Sequence, residues 1–135
     1  MPRRARRLIA PLAALAVVLP AAQAADGTIT TLAGTTAGYA GDGGPATQAQ
    51  LSGPQGVATA ADGAVLIADP RNNAVRRVAP NGIITTIAGG SQGAGGDGGP
   101  GVNAELDAPS GVAALPEGSV LIADAGNARI RRVTP

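Results

Sequence analysis

Hydrophobic residues in this chain fall into short runs separated by glycine, proline, asparagine and aspartate. One run, Val65-Leu66-Ile67-Ala68, is continuously apolar, as in a strand covered on both faces. A shorter strand is predicted over 56–59, joined to it by an Asp62-Gly63 turn of the hairpin kind. After Pro70-Arg71-Asn72-Asn73 comes a third strand over 74–79, which carries Arg76 and Arg77. Pro80-Asn81-Gly82 then turns the chain into a fourth, Ile- and Thr-rich strand over 83–88. No stretch keeps apolar residues at i, i+3, i+4 and i+7 long enough to make a helix.

The same pattern occurs twice. Ile29-Thr30-Thr31-Leu32-Ala33-Gly34 returns as Ile84-Thr85-Thr86-Ile87-Ala88-Gly89, and Gly41-Asp42-Gly43-Gly44-Pro45 as Gly96-Asp97-Gly98-Gly99-Pro100. Val65-Leu66-Ile67-Ala68-Asp69 returns as Val120-Leu121-Ile122-Ala123-Asp124, and Arg76-Arg77-Val78 as Arg131-Arg132-Val133. Residues 29–83 and 84–135 are therefore two copies of one unit, in a single ungapped register of 55 residues. A period of this length with four short antiparallel strands per unit describes an all-β array of β-propeller blades. Packing on both faces of each blade makes Val65, Leu66, Ile67, Val120, Leu121 and Ile122 the expected core.

The N-terminus follows a different pattern. Arg3, Arg4, Arg6 and Arg7 precede an uncharged apolar stretch over 8–19, Pro20 ends it, and Ala22-Gln23-Ala24 follows. Twelve helical residues span only about 18 Å, against a bilayer core of about 30 Å. Residues 1–24 are thus expected to be a cleaved signal peptide rather than an anchor, and the product over 25–135 to be secreted or periplasmic. No membrane association is expected after cleavage.

Composition removes several chemistries. The chain has no Cys and no His, so disulfides, thiolate nucleophiles, imidazole bases and the usual zinc ligands are all excluded. Of the 135 residues ten are basic and nine acidic, and all the bases are Arg. Removing residues 1–24 takes four of those arginines and leaves acid in excess, which is unsuited to nucleic acid.

Within each unit, Pro54-Gln55-Gly56-Val57-Ala58, Asp62-Gly63, Leu66-Ile67-Ala68-Asp69, Asn72-Asn73 and Val75-Arg76 resemble an NHL repeat. Pro109-Ser110-Gly111-Val112, Gly118, Leu121-Ile122-Ala123-Asp124, Asn127 and Arg129-Ile130-Arg131 match it better. The Gly-Asp-Gly-Gly-Pro segments resemble the long-period form of bacterial exported proteins and teneurin-type NHL domains. Pro70-Arg71 departs from the pattern, which usually has small turn residues there. The resemblance implies a six-bladed propeller, of which two blades are present. The second blade stops after its third strand, while the segment from Ile29 begins in the phase of a fourth. Truncation of a longer propeller is the favoured explanation. The alternative is a homo-oligomer, a trimer, in which the Ile29 strand completes a neighbour's blade.

Candidate chemistry centres on repeated polar positions. Asp69 and Asp124 end the apolar strands and could form a carboxylate face around a channel, with Arg76 and Arg131. The competing expectation is an Asx-turn organised with Asn72 and Asn127, the arginines forming inter-blade ion pairs. Asp42 and Asp97 sit in glycine loops that are expected to fold back over the blade edge with positive φ. One carboxylate there is too few for calcium, and a P-loop lysine is missing. No cofactor, metal or catalytic residue is expected. The resulting expectation is a non-catalytic binding scaffold for a protein or a polar or carbohydrate ligand. The alternative is part of an exported propeller enzyme of the lyase or lactonase kind.

Overall fold

The computed structural model describes residues 27–135, so the expected signal peptide, with its cleavage site after Ala24, lies outside the described residues. Thr31–Pro135 is one compact unit; Gly27–Thr30 lie outside it and have no secondary structure. That unit is all β, joined by single 3-10 turns, with no α-helix among the described residues.

Its first sheet contains β1 (Val57–Thr59), β2 (Val65–Asp69), β3 (Ala74–Val78) and β4 (Ile84–Gly89), in that order and antiparallel throughout. The second contains β5 (Pro109–Ala114), β6 (Val120–Asp124) and β7 (Arg129–Val133), also consecutive and antiparallel. Two sequence features set the turns of the first sheet. Asp62 accepts the Ala64 N–H at 3.0 Å while Gly63 takes a φ of 87°, and Asn81 accepts the Ile83 N–H at 3.1 Å while Gly82 takes 86°. Side-chain acceptors that replace a backbone partner in this way are what make Asp and Asn turn residues.

β2 is buried on both faces, as its apolar run requires. Ile67 packs with Val78, Ile84 and the loop residues Ala46, Ala49 and Leu51. Leu66 faces the other way, joining Val75 and Ala88 to Leu106, Val120 and Ile122 of the second repeat. That second cluster joins the two blades. Two expected core residues are only half-buried: Val65 and Leu121. Val65 opens its strand beside the Asp62-Gly63 turn, at the end of the sheet. Leu121 lies on the face of β6 away from the first blade, the side on which Ile130 is 71% exposed. Sidedness along β6 therefore follows from the first blade covering one face alone.

A further difference concerns the Ile29 segment. Its sequence is almost that of β4, yet Ile29–Gly34 forms no strand. β4 exists because Val78 pairs with Ile84 on one side while Gly43 and Gly44 bond the Ile84 backbone on the other, at 2.8 and 3.0 Å. Among the described residues the Ile29 segment has neither partner. Similar sequence without a ladder stays unpaired, since strand preference is largely a matter of context.

Candidate functional site

The repeated polar residues converge into one network per unit. Asp69, fully buried, accepts the Ser52 N–H at 2.7 Å through Oδ1. Its Oδ2 accepts the Asn72 amide at 2.7 Å and Arg76 Nη1 at 3.2 Å. Asn72 also donates to the Gly38 carbonyl at 2.7 Å, and Arg76 Nη1 to the Gln50 carbonyl at 3.0 Å. Arg76 Nη2 reaches Asp42 at 2.7 Å, and Asp42 accepts the Thr86 hydroxyl at 2.6 Å. Tyr39 completes the cluster: its hydroxyl meets Thr86 at 3.0 Å, and the Arg76 guanidinium lies 5.0 Å from its ring centre.

The second unit repeats this arrangement. Asp124 accepts from the Asp107 N–H at 2.7 Å, from Asn127 at 2.8 Å and from Arg131 at 3.4 Å. Arg131 also bonds Asp97 at 2.6 Å and the Glu105 carbonyl at 2.6 Å. Each network ties a glycine loop down onto its own blade. Gly41 makes that approach possible: it has a φ of 97°, and a Cβ there would come within 2.7 Å of the Ala49 backbone.

This geometry corrects three expectations. Asp69 and Asp124 are fully buried with both oxygens engaged, so they present no carboxylates to a channel; Arg76 is fully buried as well. The Asx-turn is replaced by a longer-range arrangement, because neither Asp caps the 3-10 turn that follows it. Its backbone partner lies 17 residues earlier, where the covering loop needs an acceptor for a half-buried N–H. The arginine pairs lie within repeats, not between blades: Arg76 with Asp42 and Asp69, Arg77 with Asp62, Arg131 with Asp97 and Asp124.

What remains open to a ligand lies elsewhere. A cleft of about 350 Å³ runs between the β1–β2 turn of the first blade and the β5–β6 turn of the second. Leu66, Val120 and Val133 contribute apolar surface, and Asp62, Arg77 and Glu117 contribute charge. Asp62 is held below the ordinary 3.8 by the Ala64 N–H and then by Arg77. Glu117 is held below 4.5 by its own backbone N–H, then by Ser119 and Arg132. Both carboxylates therefore stay charged into mild acid.

A folded-state pKa below the unfolded one contributes stability that is complete above the unfolded value and disappears as pH falls through the folded one. The stability gap between the protein and its Asp62→Asn variant should thus be constant from pH 7 to about 5 and close below about pH 4. Paired thermal melts across that range check this; a gap independent of pH would contradict it.

The teneurin NHL domain model matches residues 22–95, and the NHL repeat model matches residues 106–133. The chain belongs to the teneurin NHL domain family. No curated protein is similar enough to count as a relative of this NHL chain. Among solved structures, it is similar to a Bacteroides thetaiotaomicron structural genomics protein of unknown function, at 26% identity and a TM-score of 0.59, over 65% of this chain and 22% of that one. An auxiliary nutrient binding protein from Bacteroides ovatus matches at 25% identity and a TM-score of 0.58, over 73% and 26%. A Bacteroides thetaiotaomicron protein provisionally named a phosphatase shares the fold at 24% identity and a TM-score of 0.60, over 76% and 25%. The NHL chain spans about a quarter of the length of these structures.

The sequence alone groups Asp69 with Asn72 and with Arg76, and the structure brings these together, but it leaves Asp42 apart in its glycine loop, where the structure joins it to Arg76. The signal was present: all four recur at the same phase, as do Ser52 and Asp107, which accompany them. The link of Tyr39 to Arg76 and Thr86 is not legible from the repeat, because Ala94 stands where Tyr39 would recur.

Proposed function

We propose that this protein is an exported, non-catalytic NHL-type binding scaffold. One observation carries that reading: the buried charged groups of each unit are engaged in holding its loop to its blade. The cleft between the turns is the surface offered to a partner, and its mixture of apolar surface and charges of both signs suits a polar protein segment. Carbohydrate is the weaker choice, because Tyr39, the only aromatic residue in the chain, is engaged with Arg76 and Thr86 and lies outside the cleft. The Bacteroides ovatus nutrient binding protein supports a binding role by analogy of fold. The basic and apolar N-terminus, ending in Ala22-Gln23-Ala24, supports export.

Intact-mass measurement of exported material should show a chain beginning at Ala25; retention of residues 1–24 would contradict export by cleavage. A displayed peptide library selected against that material should yield binders that are lost in the Arg77→Glu, Glu117→Arg variant. Turnover of phosphate monoesters or lactones by the purified protein would overturn the non-catalytic reading.

A further inference from the structure

The Pro80-Asn81-Gly82 turn between β3 and β4 holds more than its own hairpin. Asn81 Oδ1 accepts the Ile83 N–H at 3.1 Å, Gly82 N–H donates to the Ala79 carbonyl at 2.8 Å, and Ala79 N–H donates to the Ile83 carbonyl at 2.9 Å. The Gly82 carbonyl in turn accepts the Ala46 N–H of the first glycine loop at 2.8 Å, and Ile84, two residues on, bonds both Gly43 and Gly44. The seating of that loop on the first blade therefore depends on where this turn places its backbone.

We propose that Asn81 is a modification site, at which spontaneous deamidation unseats the first glycine loop. Asn81 is exposed, and it is the one asparagine in the chain followed by glycine. The ring closed by its bond to the Ile83 N–H contains both reacting atoms, the Asn81 Cγ and the Gly82 nitrogen. Space around Gly82 is open, with no atom within 4 Å of where a Cβ would stand. Once the Gly82 N–H leaves the Ala79 carbonyl, its nitrogen attacks Cγ. A Cγ–N bond forms, the side-chain amide C–N bond breaks, and the proton from Gly82 passes through water to the departing nitrogen, which leaves as ammonia. Water then opens the resulting imide at either carbonyl. Opening at Cγ gives aspartate, which keeps the main chain and an oxygen for the Ile83 N–H, now in a charge-assisted bond. Opening at the backbone carbonyl gives isoaspartate, which inserts the β-carbon into the main chain. Gly82 and Ile83 then no longer stand opposite Ala46 and Ala79. Asp42, Asp62 and Asp97 also precede glycine, but each is an ion-paired carboxylate, and an ionised carboxylate resists attack by an amide nitrogen.

The purified protein is incubated in mildly alkaline buffer beside a urea-unfolded sample and the Asn81→Gln and Asn81→Asp variants. Peptide mass mapping and isoaspartyl methyltransferase labelling follow the products, and circular dichroism checks that each folded sample stays folded. Acid should accumulate at Asn81 before Asn72, Asn73, Asn103 or Asn127, and more slowly in the folded protein than in urea, because Ala79 competes for the Gly82 N–H. Asn81→Gln should stay unlabelled at this position, since its larger ring closes slowly. In the isoaspartyl fraction, amides over 41–49 should lose protection from hydrogen exchange, whereas Asn81→Asp, with the same charge on a normal backbone, should keep it. Earlier conversion at another asparagine, survival of Asn81 in the folded protein while the unfolded one converts, or an isoaspartyl fraction with unaltered loop exchange would each overturn the proposal. Equal loss of protection in Asn81→Asp would also overturn it, by assigning the effect to charge and not to the backbone.

Discussion

Replacing Asp69 by Ala is expected to lower the stability of the protein by about 3–5 kcal/mol. Arg76 lies beneath the glycine loop with no exposed surface, and Asp69 is its one fully buried counter-charge. Its Nε already has no hydrogen-bond partner, so there is no slack to absorb the loss. The substitution also strips the Ser52 N–H and the Asn72 amide of their acceptor. Asp124→Ala should cost less, although the residues are equivalent. Arg131 keeps 9% of its side-chain surface and Asp97 keeps 76%, so water reaches the second network and can replace part of what is removed. Changing both partners, Asp69→Leu with Arg76→Met, should recover much of the loss, because no stranded charge is left behind. Urea unfolding of the four proteins decides the ordering. Equal costs at the two aspartates would mean that burial does not set the strength of the network.

The second large effect is expected at Ile122, where truncation to Ala should cost about 2–5 kcal/mol. Ile122 is 1% exposed and packs with Leu66, Val75 and Ala88 of the first blade as well as with Leu106 and Val120 of its own repeat. It holds the blades together, so its removal should weaken amide protection in β2 and β3 as well as in β6. Hydrogen exchange resolved by strand measures this. Protection lost in the second repeat alone would show that the blades unfold independently, and an unchanged unfolding curve would show that this cluster is not packed as described.

Much of the fold was legible because the repeat fixes phase. Strand order, the Asp62-Gly63 and Pro80-Asn81-Gly82 turns and the burial of Leu66, Ile67, Val120 and Ile122 all follow from local pattern. The covering loops were less legible. Ala46, Ala49 and Leu106 lie at the centre of the two apolar clusters, yet a lone Ala or Leu in a glycine-rich segment has no periodicity to announce it. Long-range pairing was hidden for a related reason. Asp69 with Ser52 and Arg76 with Asp42 are contacts across 17 and 34 residues, and spacing alone does not show which loop returns to which strand. The unequal exposure of Leu66 and Leu121, identical residues at identical phase, depends on what lies beside each blade and not on the residues themselves.

Tyr39 gives the molecule a reporter of its own. With no Trp or Phe in the chain, absorption and emission in the near ultraviolet come from this one phenol. It is stacked on Arg76 and hydrogen-bonded to Thr86, so its signal describes one event, the seating of the first glycine loop on the first blade. Far-ultraviolet measurements follow the strands of both blades. The interval between the two signals on a denaturation curve is therefore a direct optical readout of whether the loop lifts before the sheets come apart, and it needs no label.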